Sequence, residues 1–209
     1  MRPFSRLYPV LDVHSFSRPE ALFHAAQELV TAGITVLQYR NKIDDAVTIL
    51  EQARELRSRV RTGQAKGPLR LIMNDRADLC LACEFDGLHV GQTDLAPESA
   101  RKIIGASRYL GVSTHNSEQV RRADQGPADY IAIGPVFSTA TKANPDPVVG
   151  LAGVRQARAL TKKPLVAIGG ITRENCRAVI DSGADSVAVV TDLVREPGKS
   201  AEEFLCILG

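Results

Sequence analysis

The chain lacks most of the features that would mark a specialised protein. Four cysteines among 209 residues are too few for a disulfide framework at this size. Its 26 basic and 24 acidic residues nearly cancel, leaving a formal net charge of +2. That balance gives no electrostatic footprint for nucleic acid or an anionic membrane. No apolar run approaches the roughly 20 residues that span a bilayer. The opening residues, MRPFSRLYPVLDVHS, carry neither the apolar stretch nor the small-residue cleavage site of a secretory signal, so a cytoplasmic protein is expected. Linkers, low-complexity tracts and charge blocks are also missing, and a single domain over 1–209 is expected. The hydrophobic content, 44%, is that of an ordinary globular protein.

Cys80 and Cys83 form a C-x-x-C within ADLCLACEF. A zinc site needs a second ligand pair, but Cys176 and Cys206 are isolated and no histidine pair has ligand spacing. A redox pair would open a helix, whereas these residues lie inside an apolar run. They read as two small apolar residues of a short helix.

What the chain does have is alternation. Eight short β-branched or Leu-rich runs are predicted as strands, at 7–12, 35–39, 69–74, 87–90, 109–113, 129–134, 165–169 and 186–190. Between them lie amphipathic stretches predicted as helices, near 18–32, 44–61, 76–83, 97–105, 116–125, 150–161, 173–182 and 199–208. Pro97 suits a first helical turn, and Thr172 with Asn175 suggests a capped seventh helix. Gly33, Gly126 and Gly183 follow predicted helices, where a left-handed cap suits glycine. LVAIG and SVAVV show no polar alternation, the pattern of a parallel sheet buried on both faces. Eight such βα pairs point to a (β/α)8 barrel. The rival, a doubly wound open sheet, would carry a G-x-G-x-x-G after its first strand, and none is present.

In such a barrel, chemistry sits where strands end, and polar residues collect there. Gln38, Arg40 and Lys42 share one face of an extended chain after the second strand. Two cations on one face suit a bound anion, with a solvated edge or ion pairs to neighbouring helices as the alternative. Asp75 ends the third strand beside Asn74, and Asp94 follows the fourth. Carboxylates on adjacent strands, completed by phosphate oxygens, suit Mg2+, although a lone Asp94 would also serve as a helix N-cap. Ser113 to Asn116 end the fifth strand and offer hydroxyl binding or helix capping, with His115 less suited to acid–base chemistry. His89 alternates toward either side of the fourth strand and receives no role. After the sixth strand a hydroxyl-rich loop holds Thr139 and Thr141 and ends in Lys142. Gly169-Gly170 and Val190-Thr191 end the last two strands, where backbone N–H groups form a phosphate cup in this fold. Two anion sites at one mouth would take two phosphorylated substrates, or one with two ends.

The segments QYRNK (38–42), NDRADLCLA (74–82), GLHVGQTDL (87–95), GVSTHN (111–116), DYIAIGPVFSTATK (129–142) and VAIGGIT (166–172) together resemble the thiamine-phosphate synthase family, also called thiamine-phosphate pyrophosphorylase. The resemblance implies a transferase that joins hydroxymethylpyrimidine pyrophosphate to thiazole phosphate, giving thiamine phosphate and pyrophosphate. It implies that Gln38, Arg40, Lys42, Asn74, Ser113 and Lys142 hold the pyrimidine pyrophosphate. Asp75 and Asp94 would hold Mg2+, and Thr139, Thr141, Gly169, Gly170, Val190 and Thr191 would meet the thiazole phosphate. Pyrophosphate leaves first in this family, so Arg40, Lys142 and Mg2+ would neutralise the departing charge and Ser113 would bond the leaving oxygen. Dimers are common in the family, so a homodimer is implied as well.

Two departures stand out. The family usually has Ser-Ala where Thr191-Asp192 stands, and Asp192 adds a negative charge beside the expected cup unless its side chain turns away. It often has Glu where Ala152 stands. The rival readings are a thiazole tautomerase on the same barrel, a Schiff-base aldolase using Lys142, and a non-catalytic sensor of phosphorylated thiazole. The tautomerase and the sensor would need no pyrophosphate site, and the aldolase needs a dry pocket that a hydroxyl-rich loop does not provide.

Overall fold

A computed structural model describes residues 5–61, 68–139 and 146–209. Eight parallel strands close into a barrel in chain order, with β8 returning to pair with β1. They are β1 (Leu7–Asp12), β2 (Val36–Arg40), β3 (Arg70–Asn74), β4 (Gly87–Val90), β5 (Tyr109–Thr114), β6 (Tyr130–Ile133), β7 (Leu165–Ile168) and β8 (Ser186–Val189). The helices are α1 (Pro19–Ala32), α2 (Ala46–Arg61), α3 (Ala77–Ala82), α4 (Pro97–Ile104), α5 (Ser117–Gln125), α6 (Gly150–Leu160), α7 (Cys176–Asp181) and α8 (Pro197–Leu208). This is the (β/α)8 barrel expected from the alternation.

The strands lack a polar stripe because both faces are buried. One face packs on the helices through residues such as Leu37, Leu71, Leu110 and Val187. The other fills the barrel with Tyr8, Val10, Val36, Ile72, Tyr130 and Val166. Proline opens α1, α4 and α8, where its missing N–H costs nothing. Gly33 closes α1 in the left-handed region at φ 107°, as expected, and Gly183 has φ 106°. Gly126 does not follow them. Its φ is −86°, so the turn after α5 has no need of glycine's left-handed freedom. Thr172 does not cap α7 either. The Asn175 side chain accepts from the Thr172 N–H at 2.9 Å and donates to the Gly170 carbonyl at 3.0 Å. That clasp holds the loop after β7, and the helix begins only at Cys176. Two 3-10 turns, Val13–Ser15 and Thr191–Leu193, had no periodic signal to announce them.

The floor of the barrel, where strands begin, carries a repeated clamp. Asp86, Asp129 and Asp185 stand immediately before β4, β6 and β8. Each donates its backbone N–H to the carbonyl of Leu71, Leu110 or Leu165 on the preceding strand, at 2.8 Å in every case. Each carboxylate accepts from the same leucine's N–H, at 2.8, 2.7 and 2.8 Å. An arginine from α2, α4 or α6 completes each clamp, namely Arg61, Arg101 or Arg158. Thr35 holds the corresponding place before β2, so that position offers no carboxylate.

Candidate active site

The opposite end of the barrel opens into a cavity of about 590 Å3. Gln38, Arg40, Lys42, Asn74, Asp75, Asp94, Ser113, Thr139, Gly169, Gly170, Val190 and Thr191 all line it. Thr141 and Lys142 lie outside the described residues. The strands bring these side chains together because inward-facing positions alternate and turn polar where each strand ends.

One side of the cavity is crowded with charge. Arg40 pairs with Asp12 at the end of β1, whose side chain is only 3% exposed. Lys42 pairs with Asp75 at 2.9 Å. Each cation of the sequence pattern thus has a carboxylate from an adjacent strand. Asp12 was within reach of the rule that picked out the other strand ends. Asp75 adopts φ +61°, a left-handed conformation that aspartate tolerates better than most residues. There its carboxyl meets that of Asp94 within hydrogen-bonding reach. Burial, together with Asp94, holds Asp75 above the ordinary carboxylate range. Asp94 is held below it: burial opposes its ionised form, but hydrogen bonds from Asp75 and the Gly91 N–H outweigh that penalty. Asp94 does not cap α4, whose N-cap is Ala96; it accepts from Gly91 N at 2.8 Å.

Among the described residues, three carboxylates therefore face two cations in this part of the mouth, a balance that would repel a polyanion unless a cation beyond these residues took part. Among the described residues no group of three His, Cys, Asp or Glu side chains could hold a metal by itself. Two adjacent carboxylates with room for phosphate oxygens are the donor set that suits Mg2+. Nearby, Asn74 Nδ2 is buried with no hydrogen-bond partner among the described residues.

The other side is backbone. Gly169 and Gly170 both have positive φ, 102° and 63°. A Cβ on Gly169 would lie 2.5 Å from Pro135 Cβ, and one on Gly170 would lie 2.4 Å from the Ser138 carbonyl oxygen. The segment after β6 thus packs directly on the glycine pair, a need that exists before any anion arrives. Asp192 does turn away. Its carboxylate accepts from the Arg173 backbone N–H at 3.0 Å and from its guanidinium at 3.1 Å. Arg173 also pairs with Glu203. Ala152 is exposed on α6 and does not line the cavity.

His115 lines the cavity but is tethered, its Nδ1 donating to the Gly134 carbonyl at 2.6 Å. Asn116 caps α5 by accepting from Gln119 N at 3.0 Å, so the capping reading of this segment holds. Cys80 and Cys83 are buried, and burial pushes the Cys80 thiol up to about 12. An unreactive apolar pair is what such thiols make.

Sequence reasoning missed the hydrogen-bonded series along the cavity wall, in which Tyr8, Gln38, His89 and Ser113 line the cavity and Tyr130 lies behind them. Gln38 Nε2 donates to Tyr8 Oη at 2.9 Å, and Tyr8 Oη lies 2.9 Å from Tyr130 Oη. Tyr130 Oη lies 2.9 Å from His89 Nδ1, and His89 Nε2 lies 2.8 Å from Ser113 Oγ. Tyr8 and Tyr130 read as apolar strand residues, and His89 had no partner within its own segment. Only barrel closure joins them.

A profile of the family described as thiamine monophosphate synthase matches residues 7–193. A thiamine-phosphate synthase of Koribacter versatilis is 55% identical over 208 residues, covering 97% of this chain and 95% of that protein. One from Chloroflexus aurantiacus is 40% identical over 189 residues, covering 90% and 85%. Among solved structures, thiamine phosphate pyrophosphorylase from Pyrococcus furiosus superposes with a TM-score of 0.84 at 30% identity, covering 97% of this chain and 95% of that one. The chain belongs to the thiamine monophosphate synthase family.

Proposed function

We propose that this member of the thiamine monophosphate synthase family condenses hydroxymethylpyrimidine pyrophosphate with thiazole phosphate, releasing pyrophosphate and forming thiamine phosphate. One observation carries the reading: a charged half and a backbone half share a single cavity, and every described residue expected at either half lines it. Substrates bearing two separate phosphate groups fit that division.

In this reading Gln38 and Asn74 hold the pyrimidine end. Asn74 Nδ2, buried and without a partner among the described residues, supplies a donor that gains a bond when substrate arrives. Asp75 and Asp94 hold Mg2+, which when bound supplies positive charge against the leaving pyrophosphate. Arg40, kept in place by Asp12, presents its guanidinium to the same oxygens, and Lys142 adds a second cation. The carbon–oxygen bond breaks with its electrons passing to pyrophosphate. The thiazole nitrogen then supplies the pair for the new carbon–nitrogen bond. No group needs to act as a strong base, which agrees with the tethering of His115. Gly169, Gly170, Val190 and Thr191, with Thr139 and Thr141, hold the thiazole phosphate.

The test is pyrophosphate release by the purified protein given both substrates and Mg2+, each component omitted in turn. Release that needs all three, with thiamine phosphate appearing in step, is the expected result. Binding of thiazole phosphate without release would overturn the synthase and favour the sensor or the tautomerase.

A further inference from the structure

The two backbone loops that form the cup are held unequally. The loop after β7 is tied to the segment after β6 by main-chain bonds. Val136 N–H donates to the Ile168 carbonyl and Phe137 N–H to the Gly169 carbonyl, each at 2.9 Å. Toward the loop after β8 there is no such tie. Among the described residues, no backbone hydrogen bond joins 169–175 to 190–194. The 3-10 turn Thr191–Leu193 closes on itself only through long bonds, Leu193 N–H to the Val190 carbonyl at 3.4 Å and Val194 N–H to the Thr191 carbonyl at 3.2 Å. Leu193 is buried and anchors one end of that turn. Asp192, just before it, makes the crossing. Its Oδ2 accepts from the Arg173 backbone N–H at 3.0 Å and from Arg173 Nε at 3.1 Å, and its Oδ1 accepts from Nη2 at 3.1 Å. An ion pair alone would need only the two side chains. This carboxylate also takes a backbone donor that no backbone carbonyl takes among the described residues, so it fixes the path of the main chain.

We propose that Asp192 is a positioning residue that straps the loop after β7 to the turn after β8 and so sets the spacing between the two sides of the cup. Asp192 does not line the cavity, but Thr191 beside it and Ile171 near the other end of the strap do. Charge and geometry make opposite demands on this residue. As a negative charge near a phosphate, Asp192 opposes the ligand, and removing it would tighten binding. As a strap it preorganises the backbone that meets the ligand, and removing it loosens binding. The Arg173 guanidinium offsets the charge, so the strap governs. The identity of the ligand rests on the proposed function, whereas the strap itself does not.

The experiment is hydrogen–deuterium exchange and calorimetry on the full chain, on Asp192→Ala and on Asp192→Asn, which keeps an oxygen for the Arg173 N–H. In Asp192→Ala the amides of 169–175 and 190–194 are expected to exchange about fivefold faster or more. Thiazole phosphate is expected to bind about three- to tenfold more weakly, with hydroxymethylpyrimidine pyrophosphate and Mg2+ within about twofold. Asp192→Asn is expected to recover most of both changes, which a general loosening of the fold would not explain. Unchanged exchange in Asp192→Ala, tighter thiazole phosphate binding, or equal weakening of both ligands would overturn the proposal. Asp192→Asn decides alone if Asp192→Ala does not fold: thiazole phosphate binding more than about twofold tighter than in the native chain would make charge the governing effect. A native chain that binds no thiazole phosphate would overturn the synthase reading instead, and the exchange comparison would still decide the strap.

Discussion

At the floor of the barrel every clamp aspartate has a complete set of partners: a strand N–H, an arginine, and its own backbone bond. At the mouth the same residue type is left contested. Asp75 meets both Lys42 and a second carboxyl, and its charge is disfavoured by burial. The difference teaches that carboxylate identity says little by itself. A strand start offers a free N–H in a fixed place, so an aspartate there is satisfied locally. A strand end offers a pleat that throws several side chains inward, so charges there are gathered without being matched. On the proposed function, these unmatched charges are what a ligand and its cation would complete.

Several substitutions would break or sharpen this contrast. The largest effect is expected from Asp75→Ala with Asp94→Ala: a fall of about 100- to 1000-fold in Mg2+-dependent pyrophosphate release, with little change in the urea midpoint. A large loss of stability instead would make the mouth pair structural, like the floor. Because Asp75 is held above the ordinary range, acid should protonate it early, so Mg2+ affinity measured by calorimetry should begin to fall at a higher pH than an ordinary carboxylate pair would give. Next in size is Asp129→Ala, which strips Leu110 N–H and Arg101 of their partner. It should lower unfolding free energy by about 2–3 kcal/mol while leaving kcat of the folded enzyme within about twofold. Arg173→Gln frees Asp192 beside the backbone cup and should raise KM for thiazole phosphate about three- to tenfold, an effect that added salt reduces. The smallest change is expected from Thr35→Asp. A clamp carboxylate there without an arginine should cost about 0.5 kcal/mol in a denaturation curve, and a gain in stability would show that the arginine is dispensable.

Much of this was legible in the residues. The eight strands could be read because a sheet buried on both faces writes itself as apolar runs bounded by glycine and charge. Gln38, Arg40, Asn74, Asp75 and Ser113 could be read because strand ends are where such a barrel keeps its polar groups. The clamps, the Arg173–Asp192 pair and the Tyr8–Tyr130–His89 series could not. Each joins residues whose nearness depends on strand register or on a helix folding back, and periodicity carries neither. Gly126 and Thr172 misled for a related reason: a residue type fitted a local motif, while the surrounding contacts used a different one.

The clamps also bear on how the chain reaches its native state. Their leucine–aspartate bonds join residues only 15, 19 and 20 positions apart, so each closes a short loop at small entropic cost. The seam between β1 and β8 joins opposite ends of the chain and is the most expensive contact to form early. Consecutive strand pairs held by clamps are the natural early units, with ring closure following. Substitutions in a clamp should therefore slow refolding, whereas those at the seam should mainly hasten unfolding.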